Sequence, residues 1–186
     1  VTFSEAASSN AIIDANDATN ALVFDSASYV TVQGFEIRNA NNEGVLFTGT
    51  ASNSALISSY VRNVGTGAAV ASVKFDANTT NCKIQKSHVE GDTYAIHISS
   101  ATGAEVSNCW IRGGLNYGLY LQSCNGAKIY FNSIRNISAG VPDQLVRIDG
   151  GSTSSPNVLK NNILEQDSTS TGDYAIYVVD NNNAFT

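Results

Sequence analysis

Helical periodicity is missing from this chain, as are methionine, any long apolar run and any cluster of basic residues. Without apolar residues at three- and four-residue spacing no amphipathic helix is expected, which excludes a leucine-rich horseshoe with a helical segment in each unit. Without a run of about 18 apolar residues, nothing reads as a membrane-crossing helix. The 10 Lys and Arg are outnumbered by 16 Asp and Glu, giving a formal charge of -6. Such a chain exerts no long-range pull on phosphate, so nucleic acid is not an expected partner. Only 2 prolines occur, and the 3 cysteines are odd in number with no C-x-x-C spacing. They imply no disulfide framework, and Cys82, Cys109 and Cys124 are expected as buried free thiols. The chain opens at Val1 with no recognisable signal peptide and reads as a processed product or an excised segment.

What the chain has is repetition. ALVFDSASYVTVQGFEIRNA from Ala21 is echoed by copies opening at Gly44, Ser72, Ala95, Gly118 and Leu145, and by a truncated one at Ala175. The start-to-start intervals, counted from residue 72 for the third copy, are 23, 28, 23, 23, 27 and 30 residues. Extra residues fall after the third segment of a copy (Gly65 to Ala71, Ser138 to Gln144, Ser168 to Tyr174) or before the second (Gly150 to Pro156). Insertions confined to fixed points of a repeat mark loops, and repetition at this period means one small unit stacked on itself.

Each copy holds three short alternating segments, the pattern of half-buried strands. The first carries the inward pairs Leu22/Phe24, Val45/Phe47, Val73/Phe75, Ile96/Ile98, Leu119/Leu121, Val146/Ile148 and Ile176/Val178. The second contributes Val32, Leu56, Ile84, Val106, Ile129 and Val158, and the third Ile37, Val61, Val89, Ile111, Ile134 and Ile163. Three like-stacked strands per turn describe an all-β solenoid, a single-stranded parallel β-helix of about six to seven rungs. It forms one domain over residues 1–186. VTF at Val1 and AIID at Ala11 read as strands of an incomplete rung, and Ala184-Phe185-Thr186 as the start of a further segment, with no evident caps. A bare end rung exposes unpaired backbone, so the chain is expected to be a piece of a longer helix or a protomer that associates end to end.

Chemistry belongs on the outward positions. Between the inward pairs of the first strand runs the column Val23, Leu46, Lys74, His97, Tyr120, Arg147, Tyr177. Two residues on lies Asp25, Thr48, Asp76, Ser99, Gln122, Asp149, Val179, while Tyr94, Tyr117 and Tyr174 open their strands. At about 4.8 Å per rung, Lys74 through Tyr177 spans roughly 19 Å, enough for several sugar rings. Aromatic rings suit the C–H faces of sugars, and Lys, Arg and His suit uronate or sulfate groups, so the expected partner is an acidic polysaccharide or surface glycan. After the third strand the column Arg38, Arg62, Glu90, Arg112, Arg135, Leu164 is expected as an exposed ion-pair ladder in which Glu90 joins Arg62 and Arg112. His88 falls beside it, in the column of Glu36 and Trp110, and reads as a surface residue.

The pattern G-[IVL]-x-[FIL], a Ser/Asn turn, then V-x-I-x-x-N-x-I is carried by GLYLQSCNGAKIYFNSIRN and approximated by SYVTVQGFEIRN. It resembles the right-handed parallel β-helix repeats of the pectate lyase-like superfamily over residues 11–180. The resemblance implies a right-handed coil and an extracellular or cell-surface protein. It is specific for fold rather than activity, because these repeats serve lyases, hydrolases, epimerases, tailspikes and adhesins alike. For a polysaccharide lyase it implies Lys74, His97, Tyr120 and Arg147 as base and carboxylate neutraliser, with Asp76, Tyr94, Tyr117, Asp149 and Tyr177 binding substrate. Calcium is the cofactor such lyases use. No ligand cluster for it is evident, since Asp76 and Asp149 are three rungs apart, and no metal site is assigned. A hydrolase would need two carboxylates about 5 to 9.5 Å apart; only Asp25 and Asp76 come near, with Thr48 between them. The alternative to a carbohydrate-active protein is a structural or adhesive one that stacks into a fibre or layer without an active site.

Overall fold

The computed structural model describes residues 1–4, 11–65, 70–91, 93–136, 144–151, 155–166 and 173–179. Among them the regular structure is entirely β: three parallel sheets of seven strands each. The first sheet is built from Leu22–Asp25, Val45–Thr48, Ala71–Phe75, Tyr94–Ser99, Tyr117–Gln122, Gln144–Asp149 and Tyr174–Val178. The second runs from Thr2–Ser4 to Val158–Lys160 and the third from Ala11–Asp14 to Ile163–Gln166, each taking one strand per rung. A strand therefore pairs with its counterpart one repeat away rather than with its sequence neighbour, which defines a parallel β-helix.

Alternation places one residue type per column in the interior. Phe24, Phe47 and Phe75 stack with ring centroids 4.4 and 4.7 Å apart, and Ile98, Leu121 and Ile148 continue the column. Cys82, Cys109 and Cys124 are buried and unpaired, occupying space as small apolar residues. Gly44 and Gly118 open their copies because a β-carbon there would come within 2.7 Å of Val61 Cγ1 and 2.8 Å of Ile134 Cγ2. The turns use left-handed backbone. Between the second and third strands, Gly34, Ser58, Lys86, Asn108, Phe131 and Asn161 all have positive φ. Beside them, Ser59, Ser87 and Asn132 form side-chain-to-backbone bonds from rung to rung.

Near the far end the register differs from the sequence expectation by one residue. Ile129 pairs with Leu159 and Ile134 with Leu164, so these, rather than Val158 and Ile163, pack against the core. Ile163 is 69% exposed. The outward column after Arg135 accordingly ends in Glu165, not Leu164. In the same register, Asn132 Oδ1 accepts from Cys109 N and the Asn162 amide oxygen accepts from Asn132 N. A strand's period is two residues, so a slip of one exchanges its inner and outer faces; this slip comes after the insertion at Gly150. On the same end, Ile176 and Val178 are 46% and 42% exposed. Ala184-Phe185-Thr186 lie outside the described residues.

Candidate functional site

Strand register assembles the first-sheet columns as the repeat pattern leads one to expect. Lys74 pairs with His97, His97 with Tyr120, Tyr120 with Arg147 and Arg147 with Tyr177. Gln122 stands beside Ser99 and Asp149 in the next outward column. Tyr94 and Tyr117 are paired at the start of their strands, with Gln144 and then Tyr174 on the next rungs.

These side chains make a tightly knit patch rather than an open strip. The Tyr94 and Tyr117 rings stack at 5.2 Å with 4° between planes, and His97 and Tyr120 at 4.7 Å with 11°. Arg147 covers the ladder, its guanidinium carbon 5.1, 5.6 and 5.8 Å from the centroids of Tyr117, Tyr120 and Tyr177. The ring faces expected to receive sugars thus cover one another, because rungs spaced at about 4.8 Å bring like rings to stacking distance. His97 and Tyr120, expected at the solvent surface, are only 8% and 9% exposed.

Electrostatics reflects that enclosure. Arg147 Nε donates to both carboxylate oxygens of Asp149 at 3.0 and 2.9 Å, and its Nη1 donates to the Tyr117 hydroxyl at 2.6 Å. The Tyr120 hydroxyl donates to Asp149 at 2.8 Å. Burial and that carboxylate push the Tyr120 phenol well above its ordinary range, and the Asp149 hydrogen bonds raise Arg147 further still. His97 Nε2 shares a hydrogen bond with Gln122 Oε1 at 3.1 Å, while its buried Nδ1 has no partner among the described residues. Burial lowers the His97 pKa to about 4, with the Gln122 bond acting the other way, so the ring is neutral at pH 7.

At the other end of the patch stands a residue that the strand columns do not contain. Glu43, on the turn before Val45–Thr48, is 4% exposed and lies 3.8 Å from Lys74 Nζ, while Asp76 lies 3.5 Å from the same ammonium. The two carboxylates therefore share one ammonium, with these oxygens at most about 7 Å apart, closer together than Asp25 and Asp76 were expected to be. Asn42 donates to Glu43, and burial raises its carboxyl above the usual range despite Lys74. Strand columns could not reveal it because Glu43 belongs to a turn. The only sequence signal was an acid immediately before Gly44, the glycine that opens its copy.

The third sheet carries the second ladder. Glu36 receives Arg62 at 2.6 Å and Arg38 at 3.1 Å, and Arg38 also meets Asp14 at 2.9 Å. Arg62 thus pairs with Glu36 instead of Glu90, as Glu36 lies one rung below on the adjacent outward column. Glu90 takes Arg112 at 3.6 Å, His88 at 3.2 Å and the Tyr60 hydroxyl at 2.9 Å.

Taken together, three-stranded rungs, inward apolar stacks and an elaborated first-sheet face define a parallel β-helix protein, and known structures share this coil. DFA-IIIase from Arthrobacter chlorophenolicus A6 without its lid matches with a TM-score of 0.61 at 14% identity, covering 90% of this chain and 49% of that one. The same enzyme in complex with GF2 gives a TM-score of 0.58 at 13% identity, covering 90% and 50%. A mutant of it in complex with DFA-III gives 0.54 at 13% identity, covering 91% and 45%. The chain spans about half the length of these structures. No curated protein matches the chain in sequence. Residues 3–144 match the family described as periplasmic copper-binding protein (NosD), and the chain belongs to that family.

Proposed function

We propose that this protein is a carbohydrate-binding β-helix of the periplasm or cell exterior that holds a glycan along the outer face of its first sheet. The observation that carries the reading is the network of Tyr94, Tyr117, Tyr120, Arg147 and Asp149, which arrays phenol, guanidinium and carboxylate groups at rung spacing on a rigid face. Regularly spaced hydrogen-bonding groups on strands match a polymer of hydroxyl-bearing rings, and a rigid scaffold lowers the entropic cost of holding it. The likeness to DFA-IIIase, a carbohydrate-active β-helix protein with structures in complex with GF2 and DFA-III, agrees with this reading, as the family's description agrees with a periplasmic location.

Within that function, binding without bond cleavage has better support than elimination from an acidic polysaccharide. A lyase needs a free base and a free cation for the uronate, whereas Lys74 is held between Glu43 and Asp76, and Arg147 is engaged by Asp149. An acidic polymer would bind by displacing one of these carboxylates. A hydrolytic reading has its own observation: a buried Glu43 whose carboxyl is raised by burial above its usual range, beside the more exposed Asp76. Incubation with a panel of neutral, uronate and sulfated glycans, then affinity electrophoresis, tests binding. Ultraviolet absorbance of unsaturated ends and a reducing-end assay test the two chemistries. Retention of at least one polymer, weakened by Tyr117→Ala, is expected; retention of none would overturn the proposal.

Copper, which the family description names, does not fit the donor set of this chain. It contains no methionine, and His88 and His97 stand on different sheets. The Cys109 and Cys124 thiols are raised by burial to about 11 and about 12 and donate to backbone carbonyls, so thiolate ligation is disfavoured. Among the described residues no group of three His, Cys, Asp or Glu side chains is placed to hold an ion.

A further inference from the structure

The outer face of the third sheet carries a ring ladder that stops two rungs before the sheet ends. Tyr60, His88 and Trp110 stack with centroids 4.5 and 4.3 Å apart and planes within 16°. Register then puts Ser133 on the rung after Trp110 and Ile163 on the rung after that. One indole face lies on His88, while the other looks over a side chain too small to cover it. Trp110 and Ile163 are two rungs, about 9.6 Å, apart, which leaves room for one ring at stacking distance from each.

The rim of this slot is unusual for the fold. Phe131 borders it at φ 56, in a turn column otherwise filled by Gly34, Ser58, Lys86, Asn108 and Asn161. Left-handed backbone is unfavourable for a bulky residue, and its ring is not tucked inside: Phe131 is 58% exposed, beside Trp110 at 53% and Ile163 at 69%. An open hollow of about 460 Å³ lies among them. Asn108, Ser133 and Asn161 line the same hollow, and among the described residues no internal hydrogen bond occupies their side chains. No charged residue lines it among the described residues.

We propose that this slot binds one ring of an uncharged saccharide, with a C–H face on the Trp110 indole, its far side toward Ile163 and an edge against Phe131. The amides of Asn108 and Asn161 and the Ser133 hydroxyl then meet sugar hydroxyls. A purely apolar ring would leave these polar groups without partners, and a charged sugar would find no counter-charge, so the lining selects a neutral, hydroxyl-bearing ring. The slot is on a different sheet from the Tyr117–Arg147 face and does not depend on the reading given to that face.

Trp110 is the sole tryptophan of the sequence, so its emission reports on the slot directly. The experiment is a fluorescence titration of the intact protein with neutral hexoses, pentoses, N-acetylhexosamines and their short oligomers, repeated with matched uronic acids. A saturable emission change with at least one neutral sugar is expected, at least tenfold weaker with the matched acid. Ser133→Tyr, which extends the ladder into the slot while keeping the reporter, is expected to abolish the response with the circular dichroism spectrum unchanged. No saturable change with any neutral sugar, or a change that survives Ser133→Tyr, would overturn the proposal. So would a response to N-acetyltyrosine amide but not to sugars, or an emission shift that depends on protein concentration alone, which would assign the slot to a second copy.

Discussion

The first and third sheets carry ring ladders made by the same rule and finished in opposite ways. On the first, His97 and Tyr120 are stacked, flanked by Tyr94 and Tyr117 and covered by Arg147, so that an outward column becomes a small second core. On the third, Tyr60, His88 and Trp110 stack equally well, but the next residue is Ser133 and the terminal indole stays exposed. Parallel register brings like residues together in both. The residue one rung beyond the last ring decides between a closed patch and an open notch: Arg147 closes the first ladder, and Ser133 leaves the third one open. The ion pairs divide in the same way, Arg147–Asp149 being largely enclosed and Arg135–Glu165 largely solvated.

The largest expected difference is in acid. The folded His97 value of about 4 lies below its ordinary 6.5, so the unfolded chain takes up the proton that the folded protein refuses. Its contribution is complete above pH 6.5 and is lost as the pH falls toward 4, by roughly 3 kcal/mol. Glu43, raised in the folded state, acts in the opposite sense, so the His97 share is isolated by comparison with His97→Gln. Urea unfolding at pH 7.5 and about 4.5 should give a markedly smaller acid loss in that variant; equal losses would mean that the first-sheet patch is more open than its packing implies.

Next comes Asp149→Ala, which strips Arg147 and Tyr120 of their shared acceptor and should cost about 2 kcal/mol at neutral pH. Ser133→Tyr should move the other sheet toward closure, adding about 1 kcal/mol through one more stacked ring; a loss of stability would count against a slot of ring thickness. The smallest effect is expected for Glu165→Ala, within about 0.5 kcal/mol and fading in salt, since its side chain is 58% exposed. Were it to match Asp149→Ala in the same unfolding assay, the contrast between enclosed and solvated pairs would fail.

Much of the site was legible because column membership is arithmetic once the repeat is aligned. Lys74, His97, Tyr120, Arg147 and Tyr177 sit on successive rungs as counted. Counting failed after Gly150, where an insertion moved the inward positions to Leu159 and Leu164. It also missed Glu43, because a turn residue belongs to no strand column and reaches Lys74 through space. The partner of Arg62 was misassigned to Glu90 because ion pairing depends on side-chain reach across two outward columns, whereas counting compares residues within one.

By itself the sequence determined the coil, its period, its three strands per rung and the residues of each column as far as Gly150, because alternation and repeat length are local properties that stacking merely copies. Only the tertiary structure decided which outward residues are accessible, which cations are free and where a ladder ends. Those depend on side chains from neighbouring rungs competing for the same few ångströms, and a repeat pattern carries the order of the rungs but not the outcome of that competition.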